Sequence, residues 1–141
     1  MFPPDAKILI VDDSSFARTM IKNSLRELKY WKILEAGEGK AAQGLILGDE
    51  QRKDPIHLMI LDIHMPELDG LALLKWLREQ ESYKELPVII ITSSQQRNEI
   101  IDAAKLGVSQ YIVKPFETDI LRDKIGSTWV KHGQKFTDML K

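Results

Sequence analysis

Several side chains able to do chemistry stand directly after runs of aliphatic residues. Asp12 and Asp13 follow Ile8-Leu9-Ile10-Val11, and Asp62 follows Leu58-Met59-Ile60-Leu61. Thr92 and Ser93 follow Val88-Ile89-Ile90-Ile91, and Lys114 follows Tyr111-Ile112-Val113. Three carboxylates within about 5 Å of one another repel by roughly 1–3 kcal/mol per pair at an effective dielectric near 20. A divalent cation among their oxygens relieves that repulsion. Oxygen donors without histidine or cysteine favour Mg²⁺, which keeps several waters and accepts phosphate oxygens. A lysine and a hydroxyl beside the metal complete an anion site. An Asp, a Mg²⁺, a Lys and a Thr together describe phosphoryl transfer onto a carboxylate. In that chemistry the metal and Lys114 neutralise charge on the transferring group, and Thr92 bonds one of its oxygens.

These residues meet only if the elements carrying them end at one edge. Four apolar residues before Asp62 read as a strand buried on both faces, as in parallel sheets. A strand that stops at Asp62, before a Met65-Pro66 turn and Asp69-Gly70, puts an acid at the carboxyl edge, where open α/β sheets bind ligands. Ser14 and Ser15 are N-cap candidates for a helix carrying Phe16, Ala17, Met20, Ile21, Leu25 and Leu28 at helical spacing. A short strand is expected within Trp31 to Ala36, a helix over Gly37 to Leu47, and a polar loop over Gly48 to Pro55. Asp69-Gly70 opens a helix with Leu73, Leu74 and Leu77 on its inner face. After the Pro87–Ile91 strand, a helix with Ile100, Ile101, Ala104 and Leu106 stops at Gly107, a C′ glycine. Gln110 to Val113 is the last strand. A final helix holds Phe116, Ile120, Leu121, Ile125 and Trp129, and the polar tail beyond Gly133 is expected to fray. This alternation predicts one α/β domain: a single doubly wound, five-stranded parallel sheet with five helices and right-handed crossovers. The chemical endings ring one cleft if the first strand lies beside the third, with the fourth and fifth following.

A length of 141 residues suits one domain with a real core, and 43% hydrophobic with 29% charged residues is a globular balance. A formal charge of −1 gives no electrostatic case for nucleic acid or an anionic membrane. No apolar run reaches the ~20 residues needed to span a bilayer. Met1-Phe2-Pro3-Pro4-Asp5 has neither the basic nor the apolar part of a signal peptide, so a cytoplasmic location is expected. With no cysteine, disulfides and thiolate catalysis are excluded.

Four motifs, in order, resemble the receiver domain of two-component response regulators: Ile-Leu-Ile-Val-Asp-Asp-Ser, Leu-Asp-Ile-His-Met-Pro-Glu-Leu-Asp-Gly, Ile-Ile-Thr-Ser-Ser and Tyr-Ile-Val-Lys-Pro-Phe. The match covers about residues 6 to 130, leaving 131–141 as an extension of the last helix or a tail. The Val-Asp-Asp-Ser-Ser-Phe-Ala-Arg opening, with no output domain, is similar to stand-alone CheY-type chemotaxis regulators. The resemblance implies a flavodoxin-like strand order of 2-1-3-4-5. It implies that Asp62 is the phospho-acceptor, served by a sensor histidine kinase or phosphotransfer protein. Asp13, Asp62 and the backbone carbonyl of His64 would hold Mg²⁺, with Asp12 contacting it through water. Lys114 would pair with the acyl phosphate, and the Lys114-Pro115 bond would be cis. Thr92 and Tyr111 would form the switch, and Ser93 supplies a small residue beside the site. His64 and Ser94 lie where the family tunes dephosphorylation and partner access. The binding face would fall at about Gln96 to Lys131, with a flagellar motor switch as a candidate target.

Other readings are weaker. An aspartyl-phosphate phosphatase of the haloacid-dehalogenase type usually has a second Asp where His64 stands, and a cap domain. A degenerate receiver acting as a constitutive binding module is opposed by the intact Asp13, Asp62, Thr92 and Lys114. A phosphorelay shuttle or phosphate sink stays open as an alternative. His57 reads as structural or exposed, His132 as a tail residue, and Trp76 and Trp129 as helix-face packing.

Overall fold

Unbroken aliphatic runs form the central strands, while the strands at the two sheet edges also carry Glu35 and Gln110–Tyr111. The computed structural model describes the backbone of residues 1–140 and the side chains of residues 1–131. Its strands are β1 (Ile8–Val11), β2 (Ile33–Ala36), β3 (Leu58–Leu61), β4 (Val88–Thr92) and β5 (Gln110–Val113). All pairings are parallel, in the order β2-β1-β3-β4-β5. The helices are α1 (Ser15–Glu27), α2 (Gly39–Gln51), α3 (Gly70–Glu79), α4 (Arg97–Lys105) and α5 (Thr118–Leu140). A 3₁₀ turn at Glu81–Tyr83 leads into β4.

Alternate strand residues point to opposite faces, and each face is covered by helices. Leu9, Val11, Met59, Leu61, Val88 and Ile90 share one core cluster with Ala42 and Ile46 of α2, Leu73, Leu74 and Leu77 of α3, and Ala103 of α4. Ile8, Ile10, Leu58, Ile60, Ile89, Ile91 and Ile112 form the other with Ile21 and Leu25 of α1 and Leu121 and Ile125 of α5. The expected doubly wound architecture is therefore the one observed. Trp76 packs against the first cluster, and Trp129 against the second, meeting Phe2 edge-on.

Local signals explain the helix ends. Ser14 is the N-cap of α1, its hydroxyl accepting from the Ala17 N–H at 3.1 Å. Asp69 caps α3 by accepting from the Ala72 N–H at 2.8 Å. Gly107 ends α4 at φ +76, in the left-handed region that a glycine C′ residue suits.

Some expectations need correction: the last helix starts at Thr118, so Phe116 lies ahead of it, and the second helix starts at Gly39 rather than Gly37. The second helix does not stop at Leu47 but runs to Gln51. Asp49 in that extra turn is buried and accepts from Lys7 Nζ at 2.7 Å, a contact that carries the helix through Gly48. The helix expected from the apolar spacing is present as α1, and of its apolar positions Ile21 and Leu25 are buried while Phe16 and Met20 face solvent. The fourth strand starts at Val88 rather than Pro87, which has no N–H for the ladder, and it includes Thr92. The side chains of His132 and of the tail beyond Gly133 lie outside those described, and the backbone there continues α5 to Leu140 where fraying was expected.

Candidate phosphorylation and metal site

Sheet register sets the site. Val11 and Leu61 are neighbours across β1 and β3, so Asp12 and Asp62 lie side by side just beyond them, while β4 runs two residues past Leu61's partner Ile90 to end on Thr92. Backbone bonds extend past the strand ends: the Asp62 N–H donates to Val11 O at 2.9 Å, and the Lys114 N–H to Thr92 O at 2.8 Å. Asp12, Asp62, Thr92 and Lys114 thus meet at the carboxyl edge, the edge that serves ligands in this architecture.

Asp12 is 1% exposed and Asp62 7%, while Asp13 is exposed. One carboxylate oxygen from each lies within 4.8 Å of the others. Lys114 Nζ donates to Asp12 Oδ2 at 2.7 Å and to Asp62 Oδ2 at 3.2 Å. Burial disfavours its ammonium, but the bond to Asp12 and the charges of Asp62 and Asp12 outweigh that and raise its pKa. Lys114 therefore stays charged, ready to meet an anion. The Lys114–Pro115 peptide bond is cis.

Thr92 is fully buried, and its hydroxyl oxygen accepts from the Ser94 N–H at 3.3 Å. The Tyr111 hydroxyl donates to the Ser94 carbonyl at 3.0 Å. Burial raises the Tyr111 pKa against the Ser94 bond, with Glu99 and Asp62 adding to the rise. Ser93 is exposed. The backbone N–H of His64 points at Asp62 Oδ1 over 3.4 Å, while its ring reaches Glu99 at 3.1 Å. The structure thus gathers the carboxylates of Asp12, Asp13 and Asp62 with Lys114, links Thr92, Ser94 and Tyr111 beside them, and ties the His64 ring to Glu99.

It also gives roles to residues that the sequence left without one. Arg18 Nη1 donates to the Asp12 carbonyl at 2.7 Å, and its Nε pairs with Glu35 at 3.2 Å, bracing the acid from behind. A Cβ on Gly70 would stand 2.2 Å from the Asp62 carbonyl oxygen, so only glycine lets α3 approach Asp62 this closely. Glycine directly after an N-cap Asp, where it weakens a helix, was the available signal. Glu99 joins the site from α4, and no motif marked it.

The donor set suits a hard divalent cation. Three carboxylates face a single ammonium, and their oxygens are close enough to share one ion. Both Asp12 oxygens already accept, from the Ser14 N–H at 2.9 Å and from Lys114, while Asp13 is open to solvent.

A family model for the response regulator receiver domain matches residues 8–126. The chain belongs to the response regulator receiver family. A chemotaxis protein CheY homolog of Campylobacter jejuni is 41% identical over 119 residues, covering 84% of this chain and 88% of the relative. CheY1 of Helicobacter pylori is 42% identical over the same length, covering 84% and 93%. Among solved structures, Vibrio cholerae CheY4 superposes on this receiver with a TM-score of 0.76 at 27% identity, covering 88% of this chain and 98% of that one. A Borrelia burgdorferi complex of CheX, CheY, beryllofluoride and magnesium matches with a TM-score of 0.77 at 26% identity, covering 88% and 89%.

Proposed function

We propose that this receiver accepts a phosphoryl group on Asp62 from the phosphohistidine of a sensor histidine kinase or phosphotransfer protein. The observation that carries the proposal is the buried Asp62 carboxylate flanked by Asp12, Asp13, Thr92 and Lys114. An Asp62 carboxylate oxygen attacks phosphorus, the P–N bond of the donor breaks, and an acyl phosphate forms. Asp13 and Asp62, with the His64 backbone carbonyl, would hold Mg²⁺, and Asp12 would reach it through water. Bound there, Mg²⁺ supplies neutralisation of charge on the transferring oxygens. Lys114 exchanges its bond with Asp62 for one with the phosphoryl group, and the Thr92 hydroxyl turns to another of its oxygens.

The charge change is read at a distance. Thr92 cannot serve both its resting place and the phosphate, which supplies the bistable element a switch needs. Tyr111, tied to the loop after Thr92, opens on a groove lined also by Val113, Pro115, Phe116 and Ile120, and α4 exposes Ile100 and Ile101. That surface is the partner-binding face. The likeness to CheY proteins supports a role in chemotaxis, with a flagellar motor switch as target. The chain catalyses only its own phosphorylation and dephosphorylation, in the cytoplasm. No helix among the described residues is long and apolar enough to cross a membrane.

Beryllofluoride with Mg²⁺ imitates the acyl phosphate and allows a direct test by NMR. The wild type should show shifts at Tyr111 and along α4, β5 and α5. Thr92→Ala should still bind beryllofluoride yet lose the Tyr111 response. An identical Tyr111 response in the variant would show that the hydroxyl and the ring are uncoupled.

A further inference from the structure

Glu99, in the first turn of α4, accepts two hydrogen bonds on one oxygen, Oε1. One comes from the Ser94 hydroxyl and the other from His64 Nε2 at 3.1 Å. A carboxylate oxygen has no proton to give, so the imidazole donates through Nε2. His64 leaves β3 two residues after Asp62, and Ser94 leaves β4 two residues after Thr92, on neighbouring strands. Glu99 therefore bridges the rim beside the gap between the acceptor and its flanking hydroxyl. The Glu99 side chain is only 12% exposed, against 57% for His64. The anchor is withdrawn from water and the ring it holds is not.

We infer that Glu99 is a positioning residue, which fixes the His64 imidazole at the rim and so sets how readily water reaches the acyl phosphate. The inference rests on the phosphorylation of Asp62 proposed above. Without an anchor, an exposed histidine spreads over its staggered rotamers. The bond to a sheltered carboxylate selects one of them and holds the ring as a shield on one side of the pocket. A carboxylate in a first helical turn also favours the helix by itself, so stability alone does not test this role.

The test measures loss of phosphoryl from full-length protein labelled with acetyl phosphate in Mg²⁺. His64→Ala and Glu99→Ala should each shorten the lifetime by a similar factor, roughly three- to tenfold for loss of one partly exposed hydrogen bond. The double variant should be no shorter-lived than His64→Ala alone. Glu99→Gln, which keeps an acceptor oxygen, should stay near wild type. Glu99→Asp keeps the charge in the first turn but withdraws the oxygen by one methylene, and should behave as Glu99→Ala does. A Glu99 effect that persists undiminished in the His64→Ala background, or no effect at all, overturns the inference. A second readout needs no phosphate: long-range proton–nitrogen NMR of the His64 ring should move toward free histidine in Glu99→Ala or Glu99→Asp and not in Glu99→Gln. Unchanged ring signals in either folded variant also overturn it. Failure of the wild type to label at Asp62 strikes the phosphorylation reading instead, and leaves the ring measurement to decide on Glu99.

Discussion

Asp12 and Asp13 are neighbours in the chain with opposite surroundings. Asp12 is buried with both oxygens engaged, by the Ser14 N–H and by Lys114, whereas Asp13 faces solvent. The exposed residue is thus the one free to meet a cation directly. Binding to the native state alone stabilises it, by about 2.7 kcal/mol at a hundred times the dissociation constant. Mg²⁺ should therefore raise the thermal midpoint of the wild type by several degrees, and Asp13→Ala should abolish the rise. A rise that survives the substitution would place the ion elsewhere. The acids, Thr92 and Lys114 were legible in the sequence because each ends an apolar run. Arg18 and Glu99 were not, because both sit on helices among other charged residues and act only through contacts that folding creates.

At the scale of elements, the strand endings were legible because buried parallel strands are continuous apolar runs. Helix ends were legible where a cap marks them, as at Ser14, Asp69 and Gly107. The end of α2 was not, because Gly48 reads as a stop and the contact that overrides it, Lys7 with Asp49, spans 42 residues of sequence. The start of α3 is the element whose position matters most to the acceptor. Gly70 N–H donates to Ile63 O at 2.7 Å, and an added methyl would meet the Asp62 carbonyl oxygen at 2.2 Å. Gly70→Ala should destabilise the fold by about 1–3 kcal/mol through overpacking, despite the better helix propensity of alanine. Urea unfolding measures this; a variant as stable as wild type would show that α3 can shift without cost.

Across the whole molecule, the two ends of the sheet carry different tasks. The carboxyl edge gathers acids for chemistry, and the opposite edge gathers charges for stability. There Lys7 Nζ meets Asp49 at 2.7 Å and Asp54 at 2.8 Å, and its backbone N–H donates to His57 Nδ1 at 3.0 Å. Accepting that bond requires a lone pair on Nδ1. Burial, followed by the charge of Lys32, holds the His57 pKa below its ordinary 6.5, against the pull of Asp54 and Asp5. The unfolded chain takes up this proton at a pH where the folded protein does not. The contribution of His57 to stability is therefore complete above about pH 6.5 and is lost as pH falls through the folded pKa. Urea unfolding at about pH 7 and about pH 5 should show a smaller acid loss for His57→Asn, whose Oδ1 can accept the same N–H, than for wild type. Equal losses would assign the acid sensitivity to other groups.

Whether the carboxyl edge makes Asp62 the acceptor can be read from the mass of the intact chain. Incubated with acetyl phosphate and Mg²⁺, the wild type should gain the mass of one phosphoryl group, and Asp62→Asn should gain none. Equal labelling of the Asp62→Asn variant would move the chemistry to another residue.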